Sequence, residues 1–143
     1  MKIKRTHILT STIGAIVALA VFAAVAMAAV VTGDDRPENL RGTNDADTIT
    51  ANGGNDKVDA KRGNDTVDGG LGDDILFARR GDDSQTGGDG NDKLHGGDGD
   101  DTQYGGTGND VIFAGAGVDV SWGGDGNDRL WALARRDVQD LAN

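Results

Sequence analysis

The sequence predicts an all-β repeat protein. Three observations carry that expectation. A period of nine residues runs without insertion or deletion from Gly42 to Asp140, glycine and aspartate recur at fixed places within it, and large apolar side chains are too few for an ordinary globular core. Units this short cannot bury a hydrophobic face alone, so they must stack on one another.

The composition bounds the function before any motif is read. The 143 residues suit a single domain, and they include 24 Gly, 1 Pro, no Cys and only 4% aromatic residues. Of the 24 acids, Glu38 is the one glutamate and the rest are aspartate. A merely acidic surface needs no such bias. A short carboxylate beside glycine turns is what a hard cation that prefers oxygen ligands requires. The net charge of −10 argues against nucleic acid as a partner. The lack of cysteine excludes a disulfide framework and thiolate metal sites.

The first element is a targeting segment. Lys2, Lys4 and Arg5 precede an apolar stretch from Ile8 to Val31, and Ala26-Met27-Ala28 has the small-x-small form that signal peptidase cuts. Residues 1–28 are therefore expected to be a signal peptide cleaved after Ala28, and the mature protein to be secreted. The alternative is an uncleaved membrane anchor, since Ile13 to Val31 is long enough to span. The mature chain keeps 24 acids and 11 bases (14 less Lys2, Lys4 and Arg5), a net charge of −13. Residues 29–41, with Pro37, read as a linker too short to be a catalytic domain.

Eleven nonapeptides follow: GTNDADTIT, ANGGNDKVD, AKRGNDTVD, GGLGDDILF, ARRGDDSQT, GGDGNDKLH, GGDGDDTQY, GGTGNDVIF, AGAGVDVSW, GGDGNDRLW and ALARRDVQD. The sixth place is Asp in all eleven and the fourth is Gly in nine. Glycine at the first, second and fourth places permits the positive φ of a tight turn, and its absent side chain also lets carbonyl oxygens face an ion. The last three residues of a unit, such as Ile75-Leu76-Phe77, are strand-like.

The consensus G-G-x-G-x-D-x-U-x, with U a large aliphatic residue, resembles the RTX, or haemolysin-type, calcium-binding repeat. The resemblance covers Gly42 to about Trp131. It implies a right-handed parallel β-roll (a β-solenoid) with two nonapeptides per coil. Residues eighteen apart would then lie above one another at about the 4.8 Å strand spacing. It also implies several Ca²⁺ ions between stacked turns, held by turn carbonyls and by the aspartates of both turns. Residues 42–131 would form the roll, and the degenerate residues 132–143 its cap or fraying end.

Separating alternate repeats makes the expectation asymmetric. The even turns are close to consensus, so their column Asp56, Asp74, Asp92, Asp110 and Asp128 is expected to hold the strong sites. Its turn glycines are Gly69, Gly70, Gly72, Gly87, Gly88, Gly90, Gly105, Gly106, Gly108, Gly123, Gly124 and Gly126. The odd column, Asp65, Asp83, Asp101 and Asp119, carries Lys61-Arg62 and Arg79-Arg80 in its turns. A guanidinium beside Asp65 or Asp83 can stand in for a cation. Alternatively, these basic residues only offset charge on a solvated edge. Inward eighth places are aliphatic in the even repeats (Val58, Leu76, Leu94, Ile112, Leu130). In the odd ones they change from Ile49 and Val67 to Gln85, Gln103, Ser121 and Gln139. The glutamines suggest a hydrogen-bonded ladder, or else a wall facing water or a partner.

Outward ninth places give Phe77, His95, Phe113 and Trp131, with Tyr104 and Trp122 on the other side. They form an exposed stripe that docks a protein, a glycan or a second copy, is covered by the C-terminal tail, or is simply tolerated. No catalytic constellation emerges: His95 is isolated, and the G-x-G starts at Gly70 and Gly106 lack the third glycine of a dinucleotide loop. Glu38 lies outside the eleven repeats, so no EF-hand can be closed. The reading is a non-enzymatic calcium-binding protein. The alternatives are an adhesin and an accessory module of a secreted enzyme.

Overall fold

The computed structural model describes residues 27–132, together with the backbone of 138–140. The targeting segment therefore lies almost wholly outside the described residues. Among those residues no helix is long and apolar enough to cross a membrane.

Among the described residues thirteen strands follow one another: β1 (Val30–Thr32), β2 (Asn39–Arg41), β3 (Thr48–Thr50), β4 (Lys57–Arg62), β5 (Thr66–Leu71), β6 (Ile75–Arg80), β7 (Ser84–Asp89), β8 (Lys93–Asp98), β9 (Thr102–Thr107), β10 (Val111–Ala116), β11 (Val120–Asp125), β12 (Arg129–Trp131) and β13 (Val138–Asp140). Odd-numbered strands form one parallel sheet and even-numbered strands the other, each in unbroken order. The chain is thus an all-β parallel β-solenoid with one strand of each sheet per coil. Register is eighteen residues throughout, as in Val58↔Leu76, Leu76↔Leu94 and Gln85↔Gln103.

The full-length strands are longer than the last three residues of a unit. β6, for example, continues through Ala78, Arg79 and Arg80, the first three places of the following nonapeptide. A turn of only three residues then leads to the other sheet. The alternation of a strand places the eighth residue and the next first residue inside. Accordingly Val58, Leu76, Leu94 and Ile112 are fully buried, as are Ala51, Ala60 and Ala78 at first places, while Leu40 and Leu130 pack at the ends.

The opposite wall changes character along the axis, as the sequence suggested. Ile49 and Val67 give way to buried Gln85, Gln103 and Ser121. The Gln103 amide donates to Gln85 Oε1 at 2.8 Å, and Ser121 Oγ donates to Gln103 Oε1 at 3.1 Å. The ladder reading therefore holds over the water-facing one. The Gln139 side chain is outside the described residues.

Residues 29–41, expected as a linker, carry β1 and β2, which pair in register with β3 and β4. Gly33–Arg41 is a further nonapeptide whose sixth place is Glu38 and whose inward eighth place is Leu40. Glu38 is thus inside the repeat array and not beyond it. At the other end, the backbone of β13 still pairs with β11 despite the departure of the last repeat from consensus.

Candidate metal centre

The site residues are built by the turns. The backbone has positive φ at the second and fourth places, as at Gly70 (96°) and Gly72 (117°), which L side chains resist. First-place glycines do not supply the positive φ expected of them, and what they supply is space. Gly69 is not in the left-handed region; a Cβ on it would lie 2.5 Å from both Asp74 Oδ2 and the Gly87 carbonyl oxygen of the next coil. Its missing side chain keeps clear the space where a carboxylate and a carbonyl approach each other. Gly87, Gly105 and Gly123 have the same relation to Asp92, Asp110 and Asp128. In other turns Ala51, Ala60, Ala78 and Ala114 place a methyl group there.

The sixth-place aspartates form two buried columns. Asp56, Asp74, Asp92 and Asp110 lie on one edge, and Asp47, Asp65, Asp83, Asp101 and Asp119 on the other; each is at most 3% exposed, while Asp128 is half-buried. Each column is threaded by one repeated contact. The N–H of Asp56 donates to Asp74 Oδ1 (2.7 Å), that of Asp74 to Asp92 Oδ1 (2.8 Å), and that of Asp92 to Asp110 Oδ1 (2.8 Å). Asp65, Asp83 and Asp101 repeat it on the other edge. Oδ1 is thereby used in every coil. Oδ2 of Asp56, Asp65, Asp74, Asp83, Asp92, Asp101 and Asp110 is buried with no hydrogen-bond partner.

Buried oxygens in that state are costly when charged. Desolvation pushes Asp92 and Asp101 up to about 7, and Asp65, Asp74 and Asp110 up to about 6; the donated N–H pulls down, and neighbouring carboxylates push up again. Asp56 and Asp83 are raised for the same first reason. A bound divalent cation would remove this penalty. Among the described residues no three acidic or imidazole side chains converge on one point. An ion here must therefore take much of its coordination from backbone carbonyls. Carboxylate plus carbonyl is an all-oxygen set, which fits Ca²⁺ and not a softer metal.

Glu38 joins the even column. Its N–H donates to Asp56 Oδ1 at 2.7 Å, and its own Oε2 accepts from the Asp34 N–H at 2.8 Å, as Asp47 Oδ2 accepts from the Thr43 N–H. A second ladder was not read from the sequence. At the fifth place, Asn91 donates its N–H to Asp73 Oδ1 and Asn109 to Asn91 Oδ1; Asp82 and Asp100 do likewise on the other edge. Its signal was present, since eight of the eleven fifth places are Asn or Asp.

The basic pairs do not replace a cation in the column. Arg79 forms a two-pronged bridge to Asp59, Arg80 lies 3.5 Å from Asp98, and the Lys61 ammonium donates to the Gly42 carbonyl. None of these contacts reaches Asp65 or Asp83. On the same, even-numbered sheet, Phe77, His95, Phe113 and Trp131 stack face to face with centroids 4.7 Å apart. His95 is therefore held between two phenyl rings, and burial, followed by the charge of Lys93, lowers its pKa. Tyr104 and Trp122 are register neighbours in the first sheet.

Such a solenoid, with carboxylate columns at its turns, is the architecture of a repeat built to hold divalent cations. The RTX calcium-binding nonapeptide repeat matches the chain in overlapping segments, 32–67, 58–85, 68–103, 81–112 and 95–130, and the chain belongs to this family. No curated protein and no solved structure matches it.

Proposed function

We propose that this is a secreted, non-enzymatic calcium-binding β-roll whose folding depends on Ca²⁺. The observation that carries this reading is the set of buried Oδ2 atoms without partners in both columns. Without metal, stacked carboxylates in a chain of this charge repel one another and the small core cannot compensate. With metal, binding energy becomes folding energy. Several ions bind, and the even column is the stronger. Four of its turns, Gly69–Asp74, Gly87–Asp92, Gly105–Asp110 and Gly123–Asp128, keep the first place free of a methyl group and only Ala51 fills it, whereas in the odd column Ala60, Ala78 and Ala114 fill it and Gly42 and Gly96 leave it free. Affinities on the order of 10⁻⁴–10⁻³ M would suit an extracellular module.

Export follows from the targeting segment. Cleavage after Ala28 leaves both sheets intact, and it would put the new α-ammonium of Ala29 beside Asp47 Oδ1, where its nitrogen lies at 2.7 Å. N-terminal sequencing of the secreted protein tests this. A circular dichroism titration from metal-free to calcium-saturated protein, with calorimetric stoichiometry, tests the main reading. The same spectrum at both ends would defeat it.

A second reading, an adhesin or accessory module, draws on the exposed aromatics Phe113, Trp122, Trp131 and Tyr104. The stacked rings of Phe77, His95 and Phe113 offer edges and not faces, which favours a protein or a second copy over a sugar stacked on them. A pull-down comparing the wild type with a Phe113→Ala/Trp131→Ala variant tests that surface.

A further inference from the structure

Lys61, Arg62, Arg79 and Arg80 are a basic patch on an acidic chain. Register sets Lys61 beside Arg79 and Arg62 beside Arg80. They border an open groove of about 620 Å³ that also reaches Phe77, His95 and Asp98. Lys61 and Arg79 both have φ of 86°, at the place where Gly70, Gly88, Gly97 and Gly106 stand in other turns. A long side chain in the left-handed region is strained, and strain of this kind gathers at functional sites. Charge offset alone does not require it, because a base at an extended position would serve. The patch is also not fully neutralised. Asp59 and Asp98 answer Arg79 and Arg80, but Arg62 has no hydrogen-bond or ion-pair partner among the described residues.

We infer that this groove binds a segment of an anionic oligosaccharide, one carrying sulfate or carboxylate groups. Two guanidinium groups at adjacent strand positions present paired donors to oxyanions about one strand spacing apart. The exposed Asp98 and the side chain of Asn44 offer acceptors to hydroxyl groups, which suits a sugar better than a bare phosphate surface. Phe77 and His95 also line the groove, beside the basic residues. The volume lies within the ordinary range of small-ligand sites. The binding is distinct from calcium binding, and metal in the columns strengthens it by lowering the overall negative charge.

The test is calorimetry of the mature protein in excess Ca²⁺ and low salt. The probe is a sulfated oligosaccharide, with its desulfated counterpart, inorganic sulfate and anionic phospholipid vesicles as comparisons. The expected result is binding of the sulfated probe alone, weakened roughly tenfold or more by Arg62→Gln/Arg80→Gln and by Lys61→Gly/Arg79→Gly. The glycine variant relieves the strained φ, so it should melt higher while binding less, a combination that damaged folding cannot produce. Unchanged affinity in the glycine variant, equal binding of the desulfated probe, or binding to vesicles alone would overturn the inference. Circular dichroism on the same samples separates it from the calcium reading. A chain that responds to calcium but ignores the probe defeats only the groove. A chain that binds the probe but ignores calcium defeats only the calcium reading.

Discussion

The backbone N–H of Asp74 donates to Oδ1 of Asp92 at 2.8 Å, while Oδ2 of Asp92 stays buried without a hydrogen-bond partner. The two oxygens of one carboxylate thus have separate duties. Asp92→Asn keeps the Oδ1 acceptor and removes the buried charge. The variant is expected to be more ordered than the wild type in metal-free buffer, yet to bind fewer calcium ions. Asp92→Ala should lose on both counts. Circular dichroism without metal, set against calorimetric stoichiometry, checks the split.

The raised carboxylate pKa values fix the sign of the pH dependence. A group whose folded pKa exceeds its unfolded value stabilises the fold below the unfolded value and ceases to do so as pH climbs through the folded one. For Asp92 and Asp101 the ordinary value of 3.8 becomes about 7, and for Asp65, Asp74 and Asp110 about 6. The metal-free chain should therefore be most ordered in mild acid and lose order between about pH 4 and 7. Calcium added in the acid part of that range, where the metal-free chain is still ordered and protonated, should release protons, because its ligands must be deprotonated. Calorimetry in two buffers of different ionisation enthalpy measures that release.

Gln85 Oε1 accepts from Gln103, its Nε2 is buried without a hydrogen-bond partner, and Val67 is its other register neighbour. Val67→Thr supplies an oxygen with little change of shape. The expected gain is about 1 kcal/mol, the usual worth of satisfying one buried donor. Chemical denaturation in calcium would show it as a higher midpoint at unchanged slope.

Phe113 stacks on both His95 and Trp131. Each ring pair is worth roughly 0.5–1.5 kcal/mol, so Phe113→Ala should cost about 1–3 kcal/mol. Trp131 has one ring neighbour among the described residues, and Trp131→Ala should cost less. Equal losses would mean that stability does not scale with the number of ring neighbours, and no loss that the stack forms without contributing to it.

Much of this was legible in the sequence because a strict period of nine converts position directly into place. The sixth-place columns, the aliphatic wall through Leu76 and Leu94, the glutamine ladder and the outward aromatics all follow from counting. The reading failed where chemistry was conserved under a different letter. Glu38 reaches the aspartate position with a longer side chain, after Pro37, and so looked like part of a linker. The fifth place looked variable because Asn91 and Asp73 differ in charge, although both present Oδ1 to a neighbouring N–H. Positive φ was expected of Gly69 in addition to open space, because a glycine needed for space and one needed for φ are the same residue on paper. The partner of Arg79 was unreadable because the side chain crosses to Asp59, twenty positions away, by a route no period describes.

The two side-chain ladders run in opposite senses. At the sixth place each coil gives its N–H to the carboxylate of the coil that follows, as Asp74 does to Asp92. At the fifth place each coil gives its N–H to the side chain of the coil before, as Asn91 does to Asp73. Neighbouring coils are therefore pinned against sliding in either direction, and a shift of one residue would unfasten both rows together. A single inserted or deleted residue in one turn would put every later coil out of step with its predecessor. The uninterrupted count of nine is in this sense a mechanical tolerance, set by two opposed rows of fasteners that close only when every coil has the same length.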